Sequence, residues 1–434
     1  MISEILGTLV IATLFGVIIF FLAQRFGVSL VPSISALVVF SSVALAVRIP
    51  SSALYLAPSD GTYFVEWGFS IYEDWGNGEA HARTIWPGKG IWPLIIATIY
   101  FFFGPVTVPL YAFNIFIMVA TVLFLQKTVL LSTGRHAGFA FVALTLSSPA
   151  LMIWGTSLFR EALFWCGVSL GGLAVSFISS RQNWAGLGSI LSSGVLLVAI
   201  RPDYGSIVWA SLLVVIAVVY QPRVFFRSSV ILFGRLLTVV SITGLFLFVF
   251  PLLNSVESSQ RVDAIRDYLG REGVTTAVDA PQIPSTAVDA PQIPSNATPL
   301  ALESLAENNV YVKLVLEGVF GLPAVWWGAS AWSSPGLPNL SESVLLFGVL
   351  HFVFVATLAL VYVVRVRRVA ELGIVFTSIA ASLVVASLAT NFGIALRFRA
   401  VAEILLIPLA VGGINMVAHQ ITSAVKSFRS PSDN

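Results

Sequence analysis

Apolar stretches of about 20 residues, long enough to cross the hydrocarbon core of a bilayer as helices, recur along almost the whole chain. Eleven such stretches are centred near Gly16, Leu37, Met118, Phe141, Ser169, Ser193, Val214, Thr243, Val353, Ala380 and Pro408. A further apolar stretch, Ile91 to Phe103, is too short to cross and reads as a helix lying at the interface. The pattern predicts an all-α, polytopic integral membrane protein with about eleven transmembrane helices plus the interfacial helix. Composition agrees. Charged residues make up 10% of the chain, against about 25% in a soluble domain, and the mean hydropathy is +0.92. A soluble globular fold is excluded, because its surface would need far more polar side chains.

The polar residues between the stretches give an orientation. One set of short loops carries Arg25, Lys127, Arg135, Arg181, Arg223, Arg227, Arg235, Arg365, Arg367, Arg368, Lys426 and Arg429. That side holds only Glu371 and Asp433 as acids, which leaves 19 of the 21 carboxylates opposite. A basic excess on short loops marks the cytoplasmic face, so the amino terminus is expected outside and the carboxyl terminus in the cytoplasm. Met1 to Ile5 carry no positive charge, so a cleaved signal peptide is not expected.

The resulting organisation is two helices in 1–47, a first external loop with the interfacial helix in 48–105, and a six-helix core in 106–253. An external loop in 254–310, an external or interfacial segment in 311–340, three helices in 341–418 and a cytoplasmic tail in 419–434 follow. The loop at 254–310 contains TAVDAPQIPS twice in tandem, Thr276–Ser285 and Thr286–Ser295. A perfect copy rich in Pro and polar residues reads as a linker that tolerates changes of length.

Ionisable groups near membrane depth are costly and need a reason. Here they gather at the outer helix ends. Asp60, Tyr63, Glu66, Glu73 and Asp74 lie in the first external loop. If Asp60 to Trp75 is helical, Asp60, Tyr63 and Trp67 share one face. Asp60 then reads either as a carboxylate that takes a proton from a hydroxyl or as a helix N-cap. His81, Arg83 and Lys89, beside Trp86 and Pro87, suit a lipid phosphate or a sugar, and equally an aromatic belt with interfacial cations. Arg160-Glu161, Arg201-Pro202-Asp203-Tyr204 and Arg397-Phe398-Arg399 with Glu403 complete the set. Arginine stays charged and grips phosphate in bidentate fashion. The competing reading pairs each arginine with its neighbour, as Arg160–Glu161, Arg201–Asp203 and Arg399–Glu403. His351 sits near the middle of a span, where it serves as a proton relay or an inter-helix hydrogen bond. Lys313 and Glu317 read as a structural pair on a short outer helix. There is no Walker loop, no Rossmann glycine pattern and no H-E-x-x-H or Cys/His cluster. One cysteine, Cys166, rules out an internal disulfide. The outer carboxylates offer oxygen ligands of the kind a divalent cation takes.

The order of these motifs resembles the GT-C glycosyltransferases, membrane enzymes that use polyprenyl-phosphate sugar donors. The matching pieces are Asp60-Gly61-Thr62-Tyr63, Trp86-Pro87, Trp92-Pro93-Leu94, Phe102-Phe103-Gly104, Val108 to Asn114, and Ser147 to Leu151. A narrower likeness is to bacterial membrane proteins linked to surface polysaccharide synthesis. It rests on Phe159 to Leu163, Arg201 to Tyr204, Val319 to Trp326, and Asn391 to Arg399. The resemblance implies a GT-C-like fold in a bacterial cytoplasmic membrane and makes Asp60 the counterpart of the family's catalytic base. Many members carry two adjacent acids there, whereas Gly61 follows Asp60. Implied partners are membrane lipid, a polyprenyl-phosphate-linked sugar and a saccharide acceptor, with no nucleic acid.

Three functions follow as expectations. The first is sugar transfer, with Arg160, Arg201, Arg397 and Arg399 on the donor phosphate and Asp60 as base. The second is a polymerase or ligase of lipid-linked oligosaccharide repeat units. The third is a transporter or flippase for a lipid-linked sugar.

Overall fold

The structure is a computed structural model that describes residues 2–46, 60–78, 91–158, 160–220, 340–388 and 392–429. Among the described residues there are thirteen α-helices and no strand. They are α1 (Ile2–Phe26), α2 (Val31–Ala46), α3 (Asp60–Gly76), α4 (Ile91–Phe103), α5 (Val108–Thr133), α6 (Phe139–Leu146), α7 (Pro149–Ile153), α8 (Glu161–Ser179), α9 (Asn183–Ile200), α10 (Pro202–Tyr220), α11 (Leu340–Val366), α12 (Val369–Leu388) and α13 (Phe392–Arg429).

Six of these helices contain stretches long and apolar enough to cross a membrane, in α1, α5, α8, α9, α11 and α13. The protein is therefore a helical membrane protein. Stretches within α2, α4, α10 and α12 are apolar but shorter. The stretch expected to span near Phe141 is instead broken in two. α6 has eight residues and stops at Ser147. Ser148 then caps α7 by accepting from the Leu151 N–H, with Pro149 in the first turn. Ser at an N-cap and Pro just inside a helix start favour a new helix over continuation of the old one. The stretch near Thr243, the tandem decapeptide, and Lys313 with Glu317 lie outside the described residues. α13 has 38 residues, about 57 Å at 1.5 Å per residue, and so runs past the end expected near 418.

α5, α8 and α13 form the centre, and their apolar windows are the most buried of the six. α1 packs at the periphery and leaves Leu9, Leu14, Phe20 and Phe21 exposed. Lipid covers such side chains at no hydrophobic cost, so contact between membrane helices rests on close backbone approach through small residues. Two glycines make that approach. A Cβ on Gly205 of α10 would lie 2.1 Å from the Leu197 carbonyl oxygen of α9, and one on Gly413 of α13 would lie 2.3 Å from that of Leu358 on α11.

Polar contacts sort by end. At one end Lys127 of α5 donates to the Phe26 carbonyl at 2.7 Å. There the Tyr362 hydroxyl and Arg368 guanidinium both donate to the Ser132 carbonyl, at 2.9 and 3.2 Å. Arg368 also lies 3.7 Å from Glu371. The opposite end gathers the starts of α5, α8, α10, α11 and α13 and carries the buried charges described next.

Candidate functional site

α3 and α4 form a platform at this second end. Trp92, Ile96 and Tyr100 recur every four residues on α4 and are buried, and α3 packs on them through Gly68 against Ile96. Burial in the platform pushes the Tyr100 phenol up to about 12. The indole N–H of Trp92 donates to the Leu158 carbonyl at 3.1 Å, and the Asn114 amide donates to that of Ser157. Together they pin the segment entering α8, and so fix Arg160 and Glu161 at its start.

Arg160 is 3% exposed. Its guanidinium lies over the Phe64 ring of α3, 5.4 Å from the centroid, and Nη1 reaches the Ile200 carbonyl at 3.4 Å. A cation over an aromatic face is a favourable contact, and here it ties α3 to the bundle. Glu161 sits in the first turn of α8, where the helix dipole favours an acid. Its Oε1 accepts from Nη2 of Arg201 at 2.8 Å, with both side chains buried. Arg201 occupies the corner between α9 and α10, and the Gly205 N–H closes that corner on its carbonyl at 2.7 Å. Tyr204 stacks on Phe164 at 5.7 Å and donates to the Ala381 carbonyl at 3.4 Å.

A second group joins α6, α11 and α13. His351 Nε2 lies 2.9 Å from the Leu144 carbonyl, and its Nδ1 lies 2.6 Å from Glu403 Oε1. One helical turn before Glu403, Arg399 is 1% exposed. Its guanidinium lies over the Phe352 ring at 5.3 Å. Nε and Nη1 of Arg399 have no hydrogen-bond acceptor among the described residues. Gly348 leaves room beside it, since a Cβ there would stand 3.1 Å from Nη2.

Arg160, Arg201, Tyr204 and Arg399 are thus all buried at one end of the bundle. Asp60 is the first residue of α3, as the helical reading of this segment expected. Tyr63 and Trp67 share a face, with ring centroids 6.0 Å apart. Tyr63 is 48% exposed, and Glu66 is exposed too. The Asp60, Asp203 and Arg397 side chains, and His81, Arg83 and Lys89 altogether, lie outside the described residues.

Two of the acids meet groups from other helices: Glu161 pairs with Arg201 across a helix corner, and Glu403 Oε1 lies 2.6 Å from His351 Nδ1, while the Asp203 side chain lies outside the described residues. Local spacing missed both pairs because their partners are 40 and 52 positions away in the chain and only helix packing joins them. The one signal available was that His351 and Glu403 are ionisable groups inside separate apolar stretches.

Among the described residues no group of three or more His, Cys, Asp or Glu side chains is arranged to hold a metal ion. The chain matches no family model, no curated protein and no solved structure.

Proposed function

We propose that the protein is a membrane transferase that moves a sugar from a polyprenyl-phosphate donor to a saccharide acceptor at the outer face. The observation that carries this reading is Arg399, a fully buried guanidinium with two donors that meet no acceptor among the described residues. Burying such donors is expensive unless an acceptor arrives. A phosphate oxygen is the acceptor that suits a guanidinium.

The rest of this bundle end supports the same chemistry. Arg160 and Arg201 are held by the Phe64 ring, the Ile200 carbonyl and Glu161, so they shape the positive wall and leave direct phosphate contact to Arg399. Phe64 belongs to the helix that Asp60 opens. The Asp60 carboxylate takes the proton of the acceptor hydroxyl, and the acceptor oxygen attacks the anomeric carbon. The bond from that carbon to the phosphate oxygen then breaks, and the electron pair leaves with the lipid phosphate onto Arg399. Charge develops on that phosphate in the transition state, where a preoriented, desolvated donor is most effective.

The test is transfer of labelled sugar in proteoliposomes supplied with a polyprenyl-phosphate sugar. Asp60→Asn should bind donor as the parent does yet lose transfer by about 100-fold or more, the usual scale for removal of a general base. Folded Asp60→Asn with full transfer would sink the assignment. Product length identifies the polymerase alternative, because only a polymerase joins whole repeat units.

A further inference from the structure

We infer that the face of α3 turned away from α4 seats a saccharide chain free of acidic sugars, with Tyr63 and Trp67 against the sugar rings and Glu66, Ser70 and Glu73 bonding their hydroxyls. In the proposed function this chain is the acceptor; the inference rests on that reading for the role and not for the binding.

α3 has two unlike sides. Phe64, Gly68 and Ile71 are buried and recur at helical spacing, and Gly68 meets Ile96 of α4. Phe69 and Tyr72 flank that contact, with ring centroids 6.5 and 6.2 Å from that of Tyr100. The other side carries Tyr63, Glu66, Ser70 and Glu73, all exposed, with Trp67 half-buried among them. Their spacing of i, i+3, i+4, i+7 and i+10 makes one row along the helix. From Tyr63 to Glu73 the row runs about 15 Å at 1.5 Å per residue, room for more than one sugar ring.

The row offers two kinds of contact. The Tyr63 and Trp67 rings lie 6.0 Å apart with planes at 57°, and Tyr63 is 48% exposed. An aromatic face is electron-rich, so it attracts the weakly positive C–H side of a sugar ring. The carboxylates of Glu66 and Glu73 accept from sugar hydroxyls, and the Ser70 hydroxyl both donates and accepts. A few polar groups set beside aromatic rings suit a ligand that is apolar on its faces and polar at its rim.

Charge selects among occupants. α3 contains Asp60, Glu66, Glu73 and Asp74 and no Lys, Arg or His. Helices that lie in lipid headgroups carry Lys and Arg on their polar side, and this one carries neither. Carboxylates also repel phosphate and uronate groups, so a neutral or amino sugar is the complementary occupant. The row is continuous with the candidate site. Asp60 opens the helix, and Phe64, beside Tyr63, lies under the Arg160 guanidinium.

The test is saturation-transfer NMR on the full-length protein in nanodiscs of zwitterionic lipid. The probes are maltotetraose, cellotetraose, chitotetraose and mannotetraose, with tetragalacturonate as the anionic counterpart. Binding of at least one neutral probe is expected. Tyr63→Ala should weaken it by about 2–10-fold, and Tyr63→Phe should restore it. Tetragalacturonate should bind at least about tenfold more weakly, and Glu66→Lys with Glu73→Lys should narrow that gap. Failure of every neutral probe, or unchanged binding in Tyr63→Ala, would overturn the inference. Equal binding of tetragalacturonate, or a gap that the double variant leaves as it was, would overturn the charge selection. Cys166 is buried, so a water-soluble maleimide reports on Tyr63→Cys. Labelling only after detergent extraction would place the face in lipid headgroups and overturn the inference. Sugar transfer that Tyr63→Ala leaves intact would overturn the acceptor role and leave the transferase reading standing. Saccharide binding at this face without any transfer would sustain the binding and sink the transferase reading.

Discussion

Replacing Arg201 by methionine tests how far the Glu161–Arg201 contact fixes the end of the bundle. The guanidinium and carboxylate meet at 2.8 Å with side chains 8% and 5% exposed. With charge centres roughly 4 Å apart, the Coulomb attraction is about 4 kcal/mol at an effective dielectric constant near 20. Removal of one partner from a buried pair costs about 3–5 kcal/mol, because the survivor stays charged and buried after losing that contact. Membrane hydrogen bonds between neutral groups average only about 0.6 kcal/mol in double-mutant cycles. The two scales separate cleanly. Arg201→Met should lose about 3–4 kcal/mol, and Glu161→Leu should lose a similar amount. The double variant should recover most of both, since replacing a whole buried pair by apolar groups is near neutral. Unfolding from mild detergent by SDS titration, followed by tryptophan fluorescence, gives all three values. A loss below about 0.6 kcal/mol for Arg201→Met, or strictly additive single losses, would refute the reasoning.

Other outcomes follow from particular contacts. Gly413→Ala places a Cβ 2.3 Å from the Leu358 carbonyl oxygen. Backbone cannot yield as a flexible side chain does, so about 1–3 kcal/mol should be lost in the same titration. Gly348→Ala places its methyl 3.1 Å from Arg399 Nη2. It should weaken binding of a polyprenyl phosphodiester severalfold in calorimetry while leaving the unfolding transition within about 1 kcal/mol. Tyr362→Phe deletes the donor to the Ser132 carbonyl and should cost about 0.6–1.5 kcal/mol, with diester affinity unchanged.

The sequence and the structure agree on six spanning helices and part over partners. Hydropathy located α1, α5, α8, α9, α11 and α13 because an apolar window of span length has few other uses. The short helix at Ile91–Phe103 was legible as an apolar run below span length. The break at Ser147-Ser148-Pro149 was not, because a window average smooths over the capping residue that starts α7. At the candidate site, the one-sided charge pattern selected Arg160, Arg201, Tyr204 and Arg399, all of which are buried at one bundle end. Which acid meets which base was hidden. Glu403 has Arg399 four residues away on its own helix, yet the packing of α11 on α13 presents His351 instead. Helix periodicity encodes i, i+4 neighbours, whereas the rotation of one helix against another is set by contacts such as Gly413 with Leu358.

The central claim is that the phosphate of a lipid-linked sugar sits on Arg399, and a dipolar distance tests it most directly. The protein, with nitrogen-15 in its arginine side chains, is reconstituted with a polyprenyl phosphodiester and measured by phosphorus–nitrogen recoupling in the solid state. The account predicts a phosphorus–nitrogen separation of about 4 Å, as N–H···O geometry requires, which disappears in Arg399→Lys. A short separation that survives Arg399→Lys, or none in the parent protein with the diester bound, would contradict it.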